Sequence, residues 1–249
     1  MRKILKKSTI VLVMLTFILA MVNINGVNTS FADTKDSTQT TTENNQSDSS
    51  SSDETSSTDE NNTEDDENVL KTDDGFKYTV EDDEVTIKGY EGSKTTLIIP
   101  NEIDGKKVTK IGANAFDGNT SITSVEIQDG ITTIDSYAFY NAAALESVSI
   151  PESVTTMNEG AFANCTALSS VNLPSKLKTI SYGLFASCSN LTKIEIPEGV
   201  TSIDGYAFYT CTSLKEINIP EKVESIGEAA FYYCAALESI EIPKSVDDI

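Results

Sequence analysis

Six phenylalanines, Phe116, Phe139, Phe162, Phe185, Phe208 and Phe231, stand 23 residues apart, and the residues around them recur at the same spacing. A period of this length means a solenoid, a stack of like coils in which each coil buries its apolar side only against its neighbours. The unit from Ala138 reads AFYNAAALESVSIPESVTTMNEG and the unit from Ala207 reads AFYTCTSLKEINIPEKVESIGEA. One coil offers about eight apolar positions, worth roughly 1.5–3 kcal/mol each for the large ones, against an ordering cost near 1.5 kcal/mol per residue. A single coil therefore cannot stand alone, and stability must come from stacking and from caps at the ends.

Each part of the unit has a physical reading. In Leu168, Val171 and Leu173 the last two apolar residues are two apart, so they point inward from a short strand. Proline then ends the strand, at Pro151, Pro174, Pro197, Pro220 and Pro243, because it has no N–H to continue a ladder. An apolar pair such as Val200 and Ile203 turns the chain back across the core. Gly112, Asp135, Asn158, Ser181, Asp204 and Gly227 follow, all residue types favoured at helix N-caps. A short helical turn is therefore expected over each Ala-Phe, with the Phe buried. The expected fold is a repeat solenoid of 23-residue coils, with short parallel strands on one side, short helical turns on the other and a hairpin-like amino-terminal cap.

The unit I-P-x-x-V-x-x-I-x-x-x-A-F-x-x-C-x-x-L-x-x-I resembles the BspA-type leucine-rich repeats of bacterial surface proteins, from about Gly75 to Ile249. The segment GFKYTVEDDEVTIKGYEG is similar to the amino-terminal unit such proteins often carry. The resemblance implies a surface or secreted protein that engages other macromolecules, and it implies no catalytic residues.

Four regions are expected. Residues 1–32 read as a signal peptide: a cationic start, an apolar run from Ile10 to Val22, and Ser30-Phe31-Ala32 before a mature start at Asp33. The run is shorter than the roughly 20 residues that a membrane-spanning helix needs. Residues 33–68 hold Ser, Thr, Asp, Glu, Asn and Gln with a single Lys and no apolar side chain, so they are expected to form a disordered acidic tether. Residues 69–110 are the cap and first coil, in which Tyr78-Thr79-Val80 and Val85-Thr86-Ile87 flank an acidic turn and Asp104-Gly105 marks another. Residues 111–249 are the solenoid. Its last unit is incomplete, because Ile249 falls on the core position 23 residues after Ile226. An open last coil would invite end-to-end self-association through its unpaired edge.

The chain has a formal net charge of −21; residues 1–32 hold four basic and no acidic side chains, so their removal leaves −25. Such a surface suits neither nucleic acid nor, after signal cleavage, a bare anionic membrane. With no His and no Trp, the commonest general base and metal ligand are missing. No cofactor, metal site or catalytic residue is expected. Cys165, Cys188, Cys211 and Cys234 occupy one column, with Asn119 and Ala142 in the same slot of earlier units, and read as free, buried thiols.

Two surfaces are candidates for binding. Tyrosines cluster around the turns, and Tyr206, Tyr209, Tyr232 and Tyr233 could form one patch of the residue type enriched in binding hot spots. The alternative is the exposed strand face, with Lys193, Glu195, Glu216, Asn218 and Glu241. Each also has a structural explanation, as cover for the Phe core and as a solvated sheet face. The expected function is a secreted or cell-surface binding module that recognises an extracellular protein or glycan in adhesion. A structural spacer or assembly piece is the alternative, and a glycan-active enzyme is the weakest reading.

Overall fold

The computed structural model describes residues 3–6 and 68–247. The expected tether up to residue 67, nearly all of the expected signal peptide and the position of Ile249 lie outside the described residues. The backbone of β1 (Lys3–Lys6) runs antiparallel along the last strand, β18 (Ser239–Ile242).

The amino-terminal end of the stack is built from short-range pairings. β2 (Leu70–Lys71), β3 (Phe76–Glu81) and β4 (Glu84–Tyr90) are antiparallel. The β3–β4 turn is Asp82-Asp83, with φ of 50° and 67°, the left-handed conformation that a two-residue hairpin turn demands and that Asp tolerates. β5 (Thr96–Ile99) begins the first sheet, and β6 (Glu102–Ile103) folds back on β7 (Lys106–Ile111) through Asp104-Gly105. This hairpin takes up the extra residues of the first unit: β5 pairs with β8 (Ser124–Ile127) at an offset of 28, as in Thr96 with Ser124.

From β8 onward the coil-to-coil pairings are parallel and join residues 23 apart, as in Ser147 with Ser124, while the β1–β18 pair is antiparallel. β8, β10 (Ser147–Ser149), β12 (Ser170–Asn172), β14 (Lys193–Glu195) and β16 (Glu216–Asn218) continue the first sheet in that order. Their central residues, Val148, Val171 and Ile194 among them, point into the core while the flanking ones face solvent. Proline acts as expected and adds one contact. Its carbonyl accepts the amide three residues on, as in Pro151 with Val154 at 3.1 Å and Pro197 with Val200 at 3.0 Å, which turns the chain off the sheet.

A second parallel sheet, absent from the sequence reading, lies where the apolar pair was expected only to turn the chain. Its strands β9 (Thr133–Ile134) and β11 (Thr156–Met157) continue from β4 and β7. β13 (Thr179–Ile180), β15 (Ser202–Ile203) and β17 (Ser225–Ile226) form a separate ladder. The break between the two has a local cause. At the equivalent residue of other coils a backbone amide reaches the preceding coil, as in Asn158 to Ile134 at 2.9 Å. At Ser181 the side-chain hydroxyl donates to the Met157 carbonyl instead, at 2.6 Å.

The third side corrects one expectation: among the described residues there is no helix. Hydrogen bonds over each Ala-Phe alternate. The amides of Tyr137, Phe139 and Asn141 donate to the carbonyls of Glu159, Ala161 and Ala163 in the next coil, at 2.8–2.9 Å, while those of Ala138, Tyr140 and Ala142 donate three residues back within their own coil. Half of the donors that a helix would use internally thus go to the neighbouring coil. The alternation needs two left-handed residues per coil, at 114, 137, 160, 183, 206 and 229, and at 118, 141, 164, 187, 210 and 233. Gly and Asn hold half of these positions, as their conformational freedom predicts.

Inside, like packs on like. Adjacent Phe rings lie 4.8–5.8 Å apart at 2–13° between planes, from Phe116 to Phe231. Spacing beyond van der Waals contact at near-parallel tilt is an offset stack, the favourable one for aromatic rings. The four cysteines are free and buried. Each thiol lies 3.1–3.2 Å from the Phe carbonyl of the preceding coil: Cys165 at Phe139, Cys188 at Phe162, Cys211 at Phe185 and Cys234 at Phe208. The column therefore suits a small side chain that can also donate weakly to a carbonyl. Burial raises all four thiols, Cys165 and Cys234 to about 12. No buried side-chain nitrogen or oxygen among the described residues lacks a partner.

Candidate recognition surface

Three of the seven turn-face tyrosines stand in the left-handed columns. Tyr137 and Tyr206 occupy one column, at φ of 58° and 59°, where other coils have Asn114, Gly160, Gly183 and Ala229. Tyr233 occupies the other, at 59°, in line with Gly118, Asn141, Asn164, Ser187 and Thr210. A bulky side chain in this region costs roughly 1–2 kcal/mol relative to glycine. The rings also need room in the next coil. A Cβ on Gly160 would meet the Tyr137 ring at 2.5 Å, and one on Gly205 would meet the Tyr182 ring at 3.3 Å. Each of these rings lies over the glycine that holds its own place one coil later.

The four tyrosines singled out in the sequence come together. Tyr206 and Tyr209 have ring centroids 5.3 Å apart, Tyr209 and Tyr232 stack at 5.2 Å and 8°, and Tyr232 and Tyr233 lie 5.9 Å apart. The structure adds Tyr182, 5.3 Å from Tyr206, so five rings run unbroken over three coils. The signal for Tyr182 was Gly205, 23 residues beyond it. Tyr137 and Tyr140 form an edge-to-face pair at 5.6 Å two coils before Tyr182. Tyr206, Tyr209 and Tyr232 are half-buried, whereas Tyr182 and Tyr233 are 48% and 55% exposed.

Carboxylates border the rings. The Tyr137 hydroxyl donates to Glu159, and that bond, then burial, pushes its pKa up to about 12. Burial, then the charge of Glu228, raises Tyr206. Both glutamates are exposed. Asp135 is held below the usual carboxylate range against its own burial by Lys110, Asn158 and the Ser136 amide.

The strand face is assembled differently. Lys193 pairs in register with Glu216 and Glu195 with Asn218, and Glu241 lies on β18. Lys193 and Glu195, 2.8 Å apart, form an exposed pair that raises the lysine and lowers the glutamate. Their charges are spent on each other along one strand. Among the described residues no group of three or more Cys, Asp or Glu side chains could hold a metal ion, and no helix is long and apolar enough to cross a membrane.

The model of the BspA type leucine rich repeat region, in six copies, matches residues 90–191 and 178–249. The chain belongs to this family. Among solved structures it is similar to a leucine rich repeat protein of T. pallidum, at 26% identity and a TM-score of 0.64 over 68% of this chain and 80% of that one. It is also similar to a leucine rich cell surface protein of Faecalibacterium prausnitzii, at 30% identity and 0.55, and to a leucine-rich repeat protein of Eubacterium ventriosum, at 30% and 0.58. The match covers 69% and 68% of this chain, and the chain spans about half the length of those two, 54% and 46%. No curated protein gives a match.

Proposed function

We propose that this BspA-type repeat protein is an exported binding module, acting at the cell surface or in the extracellular space, whose turn face recognises an extracellular protein or glycan in adhesion. The observation that carries the reading is the unbroken run of rings from Tyr182 to Tyr233 with both ends exposed. Gly or Asn fills half of the left-handed positions without the cost that Tyr206 and Tyr233 carry, so cover of the core alone does not call for tyrosine there. Similarity to the cell surface protein of Faecalibacterium supports the location. We assign the chain no catalytic role.

The test is binding of the full chain to matrix proteins, mucins and glycans, beside a variant carrying Tyr206→Ala, Tyr209→Ala and Tyr232→Ala. Saturable binding that weakens about tenfold or more in the variant is expected, in line with aromatic anchors at an interface. Saturable binding that the variant leaves unchanged moves the site to the strand face of Lys193, Glu195, Glu216, Asn218 and Glu241. A second reading, a spacer or assembly piece, draws on the antiparallel partner that the outer edge of β18 accepts. Oligomers that grow with concentration in sedimentation would favour it.

A further inference from the structure

The turn face carries an asymmetry of charge that the rest of the stack does not. The ten-residue segments beginning at Gly112, Asp135, Asn158, Ser181, Asp204 and Gly227 contain no Lys or Arg, while they hold Asp117, Asp135, Glu159, Asp204 and Glu228. Later lysines, such as Lys176, Lys193 and Lys215, fall on the strands or the corners between sheets. Asp135 is paired with Lys110, whereas the segments that carry the tyrosines from Tyr182 to Tyr233 hold only acidic charges, Asp204 and Glu228. Glu228 is exposed beside Tyr206, and Glu159 accepts from the Tyr137 hydroxyl.

Resting on the reading that this face is a recognition surface, we infer that its partner is a basic protein segment, with Lys or Arg side chains seated against Tyr206, Tyr209 and Tyr232 and countered by Glu228. A guanidinium or ammonium is drawn to an aromatic ring by its quadrupole and to a carboxylate by charge, and this face supplies both. Arginine gains most, because its planar group stacks on a ring while its N–H fork reaches phenol and carboxylate oxygens. A neutral glycan can donate hydroxyl hydrogen bonds to the carboxylates but brings no charge to answer theirs. An anionic glycan or nucleic acid meets repulsion.

The experiment uses the full chain and three probes: a nine-arginine peptide, a Gly/Ser peptide of equal length and an array of neutral glycans. Wild type is compared with Tyr206→Asn, Tyr209→Ala, Tyr232→Ala combined, which leaves the net charge unaltered, and with Glu228→Gln. Asn suits the left-handed backbone of residue 206, and matching circular dichroism and melting temperature establish that the variant is folded. The arginine peptide should bind wild type, bind the tyrosine variant about tenfold more weakly, and bind Glu228→Gln a few-fold more weakly with a shallower salt dependence. Failure of wild type to bind the peptide, or equal binding by the tyrosine variant, overturns the inference, the latter because binding then follows bulk charge. If glycans bind in a tyrosine-dependent way and the arginine peptide does not, the recognition surface stands and the partner class is wrong. If no probe's binding depends on the tyrosines, both readings fall.

Discussion

The cap, from β2 to β7, and the coils after it enclose one continuous core by opposite means. In the cap, β2–β3, β3–β4 and β6–β7 pair antiparallel with near neighbours while β4 joins β7 in parallel, and ion pairs brace the surface: Lys71 with Glu91 at 2.8 Å, Lys77 with Glu91 at 3.2 Å, Lys94 with Asp74 at 3.7 Å, and Lys106 with Asp83. In the coils the parallel strands pair with residues 23 away that hold the same place in their own unit. A position stacked on its own copy must tolerate its own kind. Phenylalanine does so by offset stacking, and hydroxyls do so because they both donate and accept, as in Ser147 with Ser124 at 3.1 Å and Ser187 with Thr210 at 2.9 Å. Charge does not, which is why opposed charges brace the irregular cap.

Four measurements would break or sharpen this contrast. The largest effect should come from alkali, because only the coils contain cysteines. Their thiols are raised in the folded chain, so folding favours the protonated form; that stabilisation is complete below the unfolded thiol value and is lost as pH rises above it toward the folded values. Each thiol should remove up to about 1.4 kcal/mol for every pH unit above its unfolded value. Urea midpoints from about pH 8 to about pH 10 measure this, and a flat profile would mean that the thiols do not stay protonated in the stack.

Phe162→Ala comes next, at a fully buried ring stacked on both sides. A loss of about 3–5 kcal/mol is expected. Hydrogen exchange should show the weakening centred on the coils either side of residue 162 and fading toward the cap, as nearest-neighbour coupling requires. Uniform weakening would mean that cap and coils act as one unit.

Tyr78→Phe probes the cap. The buried Tyr78 hydroxyl donates to Asp104, which holds the β6–β7 turn to β3, and its removal should cost about 1 kcal/mol in denaturant melts. Smallest of all should be Glu91→Gln, which removes an exposed carboxylate shared by Lys71 and Lys77. Its slight destabilisation should vanish at high salt. A loss larger than that of Tyr78→Phe would show that charge rather than packing holds the cap.

Much of the coil was legible from residue spacing: the phenylalanine and cysteine columns, the prolines that end strands, and the inward residues of the first sheet. The turn segments misled for a physical reason. Asp, Asn or Ser followed by Ala-Phe has the composition of a helix start, and composition does not show that a neighbouring coil will take every second amide. Asn and Gly at 114, 118, 141, 160, 164 and 183 were the visible sign of left-handed backbone once the columns are aligned. The second sheet was illegible because two-residue strands such as Thr133–Ile134 are too short for an alternating pattern. For the candidate site, clustering of Tyr206, Tyr209, Tyr232 and Tyr233 followed from the period alone, whereas the link to Tyr182 depends on where Gly205 leaves room for its ring.

The amino-acid sequence by itself determined that this chain is a stack and which residues meet across its coils, because one period repeated without a slip admits only that pairing. Only the tertiary structure decided the third side. There the backbone gives up half of its internal helical bonds for bonds between coils, left-handed residues become obligatory, and tyrosines at and beside those residues meet across coils as one surface.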